Sequence, residues 1–249
     1  MKRFKIPPLH KHKRWRLLIY DNMSYNWATD SLLNGDVSSV RPAVLFKAFC
    51  DELGNYFQSK GLKYRKSRPL ITLEHERVRV DIGFSSSRSN MQGEWVAVEL
   101  GVNIYWKELL KARELKGEKG YGGVIGDMSI FSKRLDNEEP GTIVIQNIFG
   151  EVIKRKEANS ESEFRYNKNF NIHGITTDRF QKVIDFFETK ILNWATDIDD
   201  EEKVKNLIMN TGSWGRWELN SGNFKAFLEM KYPALTKELD LINNRQQKL

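Results

Sequence analysis

Two segments of this chain alternate apolar and polar residues with a period of two, and this pattern limits its possible folds more than any other feature. Residues 78–84 (VRVDIGF) and 96–104 (VAVELGVNI) carry a large apolar side chain at every even position. A period of two sends successive side chains to opposite faces of a strand, so each segment predicts a strand with one buried face. The apolar face of the resulting sheet needs a cover.

Two amphipathic helices are predicted to supply that cover. Residues 43–60 repeat apolar side chains along one helical face, Pro42 suits the first turn, and Gly61 supplies a stop. Residues 178–194 show a second apolar stripe of the same kind. We therefore expect an α+β fold in which a mainly antiparallel sheet is packed on one face by two long amphipathic helices, with a C-terminal helical appendage.

The remaining segments extend this arrangement. Residues 71–80 are expected to fold back near His75 as a hairpin of an antiparallel meander. Strands are expected at 15–20, 142–148 and 170–175, and helices are expected at 106–116 and from a start near 199–202. Two connections are expected to be irregular: a mobile hairpin or loop at 151–169 and a flexible loop or lid in the glycine-rich stretch 117–127. The C-terminal stretch predicts a tryptophan-containing loop and then helices that separate near Pro233.

The pentapeptide NWATD occurs twice, at residues 26–30 and 193–197. The similarity ends shortly after each copy, whereas a repeat would keep its apolar spacing over a whole structural unit. The first copy follows a predicted strand and the second closes a predicted helix. We therefore expect no internal duplication, and we expect Asp30 and Asp197 to be cap or turn residues.

The basic excess of the chain is confined to its N-terminal end. Seven of the 40 basic residues lie within residues 1–20, which contain no acid, and this leaves 33 basic against 33 acidic residues elsewhere. Such an arm suits phosphate contacts and aromatic stacking, or it serves only as a solvating segment. The candidate nucleic-acid contacts are Lys11, Lys13, Arg14 and Trp15. Because Pro7 and Pro8 forbid a continuous helix, residues 1–13 are expected to lack regular structure.

The number of cysteines and the lengths of the apolar segments indicate the cellular compartment of the protein. Cys50 is the single cysteine, which excludes an internal disulfide and favours a reducing environment. The basic start is not followed by the apolar stretch of a secretory signal, and no apolar run approaches the ~18 residues of a membrane span. We expect a cytoplasmic protein without membrane contact.

The common catalytic motifs are absent from the sequence. It contains no HExxH, CxxC or GxSxG, and the glycines at 117–126 lack the Gly-Lys-Ser/Thr ending of a phosphate loop. The four histidines form no pair at metal-ligand spacing. We therefore expect no metal or cofactor, apart from Mg²⁺ in the case that follows.

A nuclease-like arrangement is the one catalytic candidate. Many Mg²⁺-dependent nucleases place one acid on a strand and an acid-x-lysine on the next. Asp81 and Glu99 match the acids, but glycine occupies the lysine position and Lys107 lies further along. The alternative is a solvated sheet face laced by ion pairs that each contribute only ~0.2–1 kcal/mol, with the members Arg77, Arg79, Asp81 and Glu99.

The C-terminal segment offers candidates for a protein interface. Trp214, Arg216 and Trp217 lie close together in the sequence GSWGRW. Tryptophan and arginine are enriched at interface hot spots, so this segment indicates contact with a partner. The alternative is that both tryptophans simply dock the C-terminal helices.

Four segments in order resemble an uncharacterised bacterial domain family of unknown function. They are FQSKGLKYRKS, similar to a GFKKKG-type turn, VRVDIGFSSS, VAVELGVNI, similar to an INLGV-type strand, and TTDRFQKVIDFFETKILNW. The resemblance covers about residues 42–210 and implies an intracellular α+β domain in the company of toxin–immunity or phage-defence systems. It implies no catalytic residues, and neither the basic arm nor the tryptophan-rich C-terminus belongs to the family pattern.

These observations lead to two functional hypotheses. The first is a non-enzymatic intracellular binding protein, such as an immunity or phage-defence accessory protein, that acts by protein–protein interaction. The second is a nucleic-acid-binding protein or Mg²⁺-dependent nuclease that uses the basic arm with Asp81 and Glu99. We expect three regions: the arm at 1–14, an α+β core at 15–212 and a C-terminal part at 213–249.

Overall fold

The computed structural model describes residues 25–118, 122–158 and 160–246 of the chain. The α-helices are α1 (Pro42–Ser59), α2 (Lys107–Leu115), α3 (Thr177–Phe186), α4 (Asn193–Asp197), α5 (Glu201–Asn210), α6 (Ser213–Leu219), α7 (Gly222–Lys231) and α8 (Pro233–Gln246). The strands are β1 (Lys63–Arg65), β2 (Leu70–Glu74), β3 (Val78–Ser86), β4 (Ala97–Trp106), β5 (Val124–Gly126), β6 (Lys133–Arg134), β7 (Thr142–Asn147), β8 (Val152–Lys156), β9 (Glu163–Asn167) and β10 (Asn169–Asn171). Short 3₁₀ helices span Leu32–Asn34 and Met128–Phe131, and a π-helix spans Phe187–Leu192.

The two alternating segments form neighbouring strands of an antiparallel main sheet. Its order is β1-β2-β3-β4-β10, and β5 pairs with the far end of β4. Strands β3 and β4 pair over nine positions, from Val78 opposite Trp106 to Ser86 opposite Val98. The even-numbered apolar residues of both strands are buried on one face, as their period of two requires.

Helix α1 and the segment of α3 with its π continuation cover that apolar face. Phe49 of α1 packs on Phe180 with ring centroids 5.5 Å apart, and Phe57 stacks on Phe187 at 5.8 Å. All four rings are at most 1% exposed. The predicted α+β fold, with an antiparallel sheet covered by two helices, is therefore confirmed.

A second, smaller sheet has the order β6-β9-β7-β8. In it β7 and β9 run parallel, whereas β7 and β8 form an antiparallel hairpin. The expectation of only a mobile hairpin or loop at 151–169 is wrong at β9, which forms a regular strand inside this sheet. All five residues of the edge strand β8 are exposed. Because neither face of β8 is buried, its sequence shows no alternation of apolar and polar residues that would predict a strand.

The long helix that the sequence predicts at 178–194 contains a π-helical segment. Helix α3 continues through the π-helix Phe187–Leu192 into α4, and α5 then starts after Asp200, whose side chain accepts hydrogen bonds from the amides of Glu202 and Lys203. The predicted helix at 178–194 and the acidic start of the next helix are confirmed. The π-helix was not predicted, because its apolar stripe matches that of an ordinary helix.

The C-terminal helices α6, α7 and α8 join the same core as the main sheet. Phe227 of α7 packs on Trp106 at the end of β4, with centroids 5.1 Å apart. Pro233 begins α8, as predicted. The expected loop around the tryptophans is instead helix α6, which is too short to show a sequence period.

The two NWATD copies adopt different structures. Residues 26–28 have no regular secondary structure and lead into a turn at 29–30, whereas Asn193–Asp197 is helix α4. Trp27 packs on the ring of Phe180, and Trp194 faces a cleft that is described below. The predicted absence of a repeat is consistent with this difference. None of the helices in the described part of the chain is long and apolar enough to cross a membrane.

Candidate functional site

The two acids of the nuclease-like arrangement lie on the face of the main sheet opposite its apolar face, but far from each other. Asp81 stands opposite Asn103, whereas Glu99 stands opposite Ser85. The two residues are thus four positions apart along the paired strands, which separates their backbone positions by about 13 Å. One Mg²⁺ ion cannot be bound by both side chains at that separation.

Each member of that arrangement is engaged by a different partner. Asp81 is buried and accepts hydrogen bonds from Arg79 Nε at 2.9 Å and from the Thr72 hydroxyl at 2.8 Å. Glu99 pairs with Lys168 at 2.7 Å. Lys107 Nζ lies 2.7 Å from Glu74.

The arginines of this face are held in the same manner. The hydrogen bond to Asp81 raises the pKa of Arg79, whose guanidinium also lies 5.3 Å from the centre of the Tyr105 ring. Arg77 lies 4.0 Å from Glu108 and 3.8 Å from Asp199. This geometry favours the interpretation of an ion-pair-laced sheet face over that of a metal centre.

The arm candidates cannot be placed. Lys11, Lys13, Arg14 and Trp15, the expected strand at 15–20 and the expected irregular segment at 1–13 lie outside the described residues. Nucleic-acid binding through the arm therefore stays a prediction.

The C-terminal candidates all lie on α6, on two different sides. Trp217 is 78% exposed and Trp214, one turn before it, is 37% exposed. Arg216 points the other way: it is buried and pairs with Glu161, and burial lowers the pKa of its guanidinium. We call Trp214, Trp217 and the neighbouring Arg165 the Trp face, because the Arg165 guanidinium lies 5.9 Å from the centre of the Trp214 ring.

Helix α6 is anchored through its two glycines. The amide of Gly212 donates to the carbonyl of Ser132 at 3.2 Å, and the amide of Gly215 donates to Ser132 Oγ at 3.0 Å. A Cβ on Gly215 would overlap the carbonyl oxygen of Ser129, and a Cβ on Gly212 would overlap the carboxylate of Glu163. Only glycine permits so close an approach of the helix to its neighbours.

A buried carboxylate fixes the first turn of the helix. Glu163 of β9 is fully buried and accepts a hydrogen bond from the amide of Trp214 at 3.1 Å. Its other oxygen accepts from Arg165 Nε at 2.6 Å, so the charge is compensated by a guanidinium that is itself 19% exposed. Since the sequence suggested only a loop here, the GSWG motif could not indicate this anchoring role.

A cleft of about 480 Å³ opens between the small sheet and the helices. One wall is formed by residues 130–134, from the end of the 3₁₀ helix Met128–Phe131 to β6, together with Tyr166 of β9. The π-helix and α4 form the second wall, and α5 forms the third. The floor is apolar and aromatic, with Ile130, Phe131, Tyr166, Trp194, Ile198, Val204 and Leu207. Four cations and one carboxylate line it, namely Lys133, Arg134, Lys190, Lys203 and Asp197.

The sequence does not indicate the cleft, because its lining comes from four separate segments, 130–134, 166, 190–198 and 203–211. Only the apolar stripe that contains Trp194 is visible in the sequence, and it predicts the cover of the sheet. Glu188, on the same π-helix, is directed away from water and accepts a hydrogen bond from the Tyr56 hydroxyl at 2.9 Å. Desolvation raises its pKa, and the π-helix thus carries a buried acid on its core side and Lys190 on its cleft side.

Protein-family models, curated proteins and solved structures were compared with this chain, and none of them matches it. The resemblance to the bacterial domain family therefore stays a prediction.

Proposed function

We propose that this protein acts as a binding protein whose Trp face inserts into an apolar pocket of a partner protein. The observation that carries the proposal is the exposure of Trp217, which keeps 78% of its surface in water on a helix whose other side is buried. A lone exposed apolar residue is ordinary, but Trp217 stands one turn from Trp214, whose ring lies 5.9 Å from the Arg165 guanidinium. Tryptophan and arginine are the residue types most enriched at hot spots.

The energy available from this face is sufficient for an anchor. A tryptophan buries roughly 150–250 Å² when it is fully covered, so the exposed fraction of Trp217 amounts to about 120–200 Å². At about 25 cal/mol per Å², its burial would contribute about 3–5 kcal/mol before the costs of association.

Preorganisation of the helix reduces those costs. The amides of Gly212, Trp214 and Gly215 are all bound to groups of the small sheet and the 3₁₀ segment. The backbone that carries Trp217 is therefore already ordered before a partner arrives, and only the side chain loses freedom on binding.

The test is affinity capture from cells of the source organism with the wild-type chain, a Trp217→Ala variant and a Trp95→Ala variant. Trp95 is a matched control because it is also exposed, at 46%, but lies in the turn before β4, away from α6. We expect a protein that is captured by the wild type and by Trp95→Ala and is lost with Trp217→Ala. Purified partner should then bind at least tenfold more weakly to Trp217→Ala.

Two results would contradict the proposal. One is a set of captured proteins that is the same for all three chains. The other is a wild-type dimer in size-exclusion chromatography that dissociates with Trp217→Ala, since the face would then be occupied by a second copy of this chain. An immunity or phage-defence setting for the partner remains the expectation that the resemblance alone implies.

A further inference from the structure

The 480 Å³ cleft is distinct from the Trp face in its chemistry and in its size. It lies within the range of volumes, roughly 300–1,000 Å³, that hold small ligands. The Trp face presents Trp214 and Trp217 from the exposed side of α6, whereas the cleft combines an aromatic floor with a cationic rim. These are the two requirements for a ligand with a flat ring and a negative charge.

Two of the four cationic side chains that line the cleft have no ion-pair partner among the described residues. Lys133 and Lys190 line the cleft from two different walls, and within the described part of the chain neither ammonium has an ion-pair or hydrogen-bond partner. The other two are paired, Arg134 with Asp136 at 2.6 Å and Lys203 with Asp197 at 2.5 Å. An anion in the cleft would therefore meet two free ammonium groups, each of which is a strong charge-assisted donor.

Aromatic side chains of the floor are placed to contact a ring. Tyr166 is partly exposed and its ring is held edge-on against Phe186 with centroids 5.0 Å apart, whereas Trp194, one helical turn after Lys190, lines the cleft with only 7% of its surface exposed. Aromatic side chains of this kind stack with nucleobases of any sequence. The side-chain amide of Asn206 also lines the cleft and has no hydrogen-bond partner among the described residues, so it can pair with the edge of a base.

The backbone of one wall is unusual in a way that fits a binding site. Lys190 lies on the π-helix Phe187–Leu192. π-Helical turns are rare and frequently occur at functional sites. Here the turn buries Glu188 toward the core and leaves Lys190 facing the cleft.

We propose that this cleft binds a nucleoside monophosphate, with the base on the floor formed by Trp194 and Tyr166 and the phosphate between Lys133 and Lys190. The inference goes beyond the proposed protein-binding function and does not depend on it. It requires both halves of the ligand, since the cations recognise the phosphate and the aromatic floor recognises the base.

Isothermal titration calorimetry tests this with AMP, GMP, CMP and UMP, together with adenosine and ribose 5-phosphate as the separated halves. We expect at least one nucleoside monophosphate to bind with one site per chain. Each separated half should bind at least tenfold more weakly than the whole nucleotide. If none of the four binds at millimolar concentration, or if ribose 5-phosphate binds as tightly as the nucleotide, the proposal is overturned.

Lysine variants locate the site. Lys133→Ala and Lys190→Ala should each weaken nucleotide binding about tenfold, whereas Lys182→Ala should leave it unchanged. Lys182 is an appropriate control because it is exposed on α3, in the same helical segment as Lys190, but does not line the cleft. Equal affinities of all three variants would place the nucleotide elsewhere and refute the assignment.

A single-stranded oligonucleotide distinguishes a free nucleotide from a nucleic-acid chain. The cleft should bind the mononucleotide at least as tightly as a ten-residue strand of the same base. Tighter binding of the strand, lost in Lys133→Ala and Lys190→Ala, would overturn the commitment to a mononucleotide.

Discussion

Replacement of Gly215 by alanine tests the close packing on which the Trp face depends. Gly215 lies within α6, and its amide donates to Ser132 Oγ at 3.0 Å in a buried site. An added Cβ would overlap the Ser129 carbonyl oxygen and lie 2.7 Å from Ser132 Oγ, and the first of these atoms belongs to the backbone and cannot rotate away. The helix must therefore shift outward.

The expected magnitude follows from three contributions. Overpacking of this kind costs about 1–3 kcal/mol, and loss or distortion of the buried Gly215–Ser132 hydrogen bond costs about 1 kcal/mol more. Alanine recovers at most about 1 kcal/mol of helix propensity. The net loss is about 2 kcal/mol, which for a chain of this length lowers the melting temperature by roughly 4–8 °C.

Gly222→Ala is the matched control for this change. Gly222 begins α7, and no heavy atom lies within 4 Å of the position that its Cβ would take. We expect this variant to be as stable as the wild type or up to about 1 kcal/mol more stable. Both variants are measured by urea unfolding followed by far-ultraviolet circular dichroism. An unchanged dependence of the unfolding free energy on urea concentration shows that the folded and unfolded states expose the same surface as in the wild type.

The outcome of the comparison decides whether α6 is anchored as described. If Gly215→Ala is as stable as Gly222→Ala, the helix accommodates a side chain, and the proposed ordered presentation of Trp217 is refuted. If it loses about 2 kcal/mol, partner binding should weaken as well, because the displaced helix no longer holds the Trp face in place.

Three further outcomes are expected from buried ionisable groups. The folded pKa of Glu188 is raised by burial, so its proton favours the folded state below the ordinary carboxyl pKa and that stabilisation is lost as the pH rises through the folded pKa. Glu188→Gln should therefore gain stability over the wild type as the pH is raised from about 4 to 7, and a difference in unfolding free energy that stays constant with pH would contradict this. Glu163→Ala should cost about 3 kcal/mol in chemical denaturation because it leaves Arg165 without its buried partner, whereas Glu151→Ala, which removes an exposed pair, should cost at most about 1 kcal/mol; equal losses would show that the buried carboxylate is not an anchor. Cys50 is fully buried and its thiol pKa is raised by desolvation, so it should react with a chromogenic disulfide reagent only in denaturant, and rapid reaction of the native protein would disagree with its place in the core.

Much of the main sheet and its cover could be predicted from the sequence. The alternation at 78–84 and 96–104, the apolar stripe of α1 and the proline and glycine that bound it are local patterns. Each pattern records which side of one element must leave water, and it does so within a few residues along the chain. The antiparallel α+β core follows from those sides and from short connections.

Of the small sheet, only β7, within the strand predicted at 142–148, could be predicted in this way. Strand β8 is exposed on both faces, and the parallel neighbours β7 and β9 are joined through β8 and a polar stretch. Their polar residues satisfy partners that are distant in sequence, such as the amide of Trp214 bound by Glu163. No local period records such a contact.

The sites were decided by register and by packing over long range. The sequence identified Asp81 and Glu99 as residues on neighbouring strands, but only the pairing of Asp81 with Asn103 and of Glu99 with Ser85 separates their carboxylates. The sequence likewise indicated Trp217 as a candidate, but it does not show that this side chain is exposed. The close contact at Gly215 holds one side of α6 against the core, and Trp217 lies on the other side. The cleft joins segments from Ile130 to Thr211, so its charge and shape arise only when the chain has folded. Periodicity along a chain determines what each element must bury, whereas the distance between two side chains of different elements is determined by how those elements pair and pack.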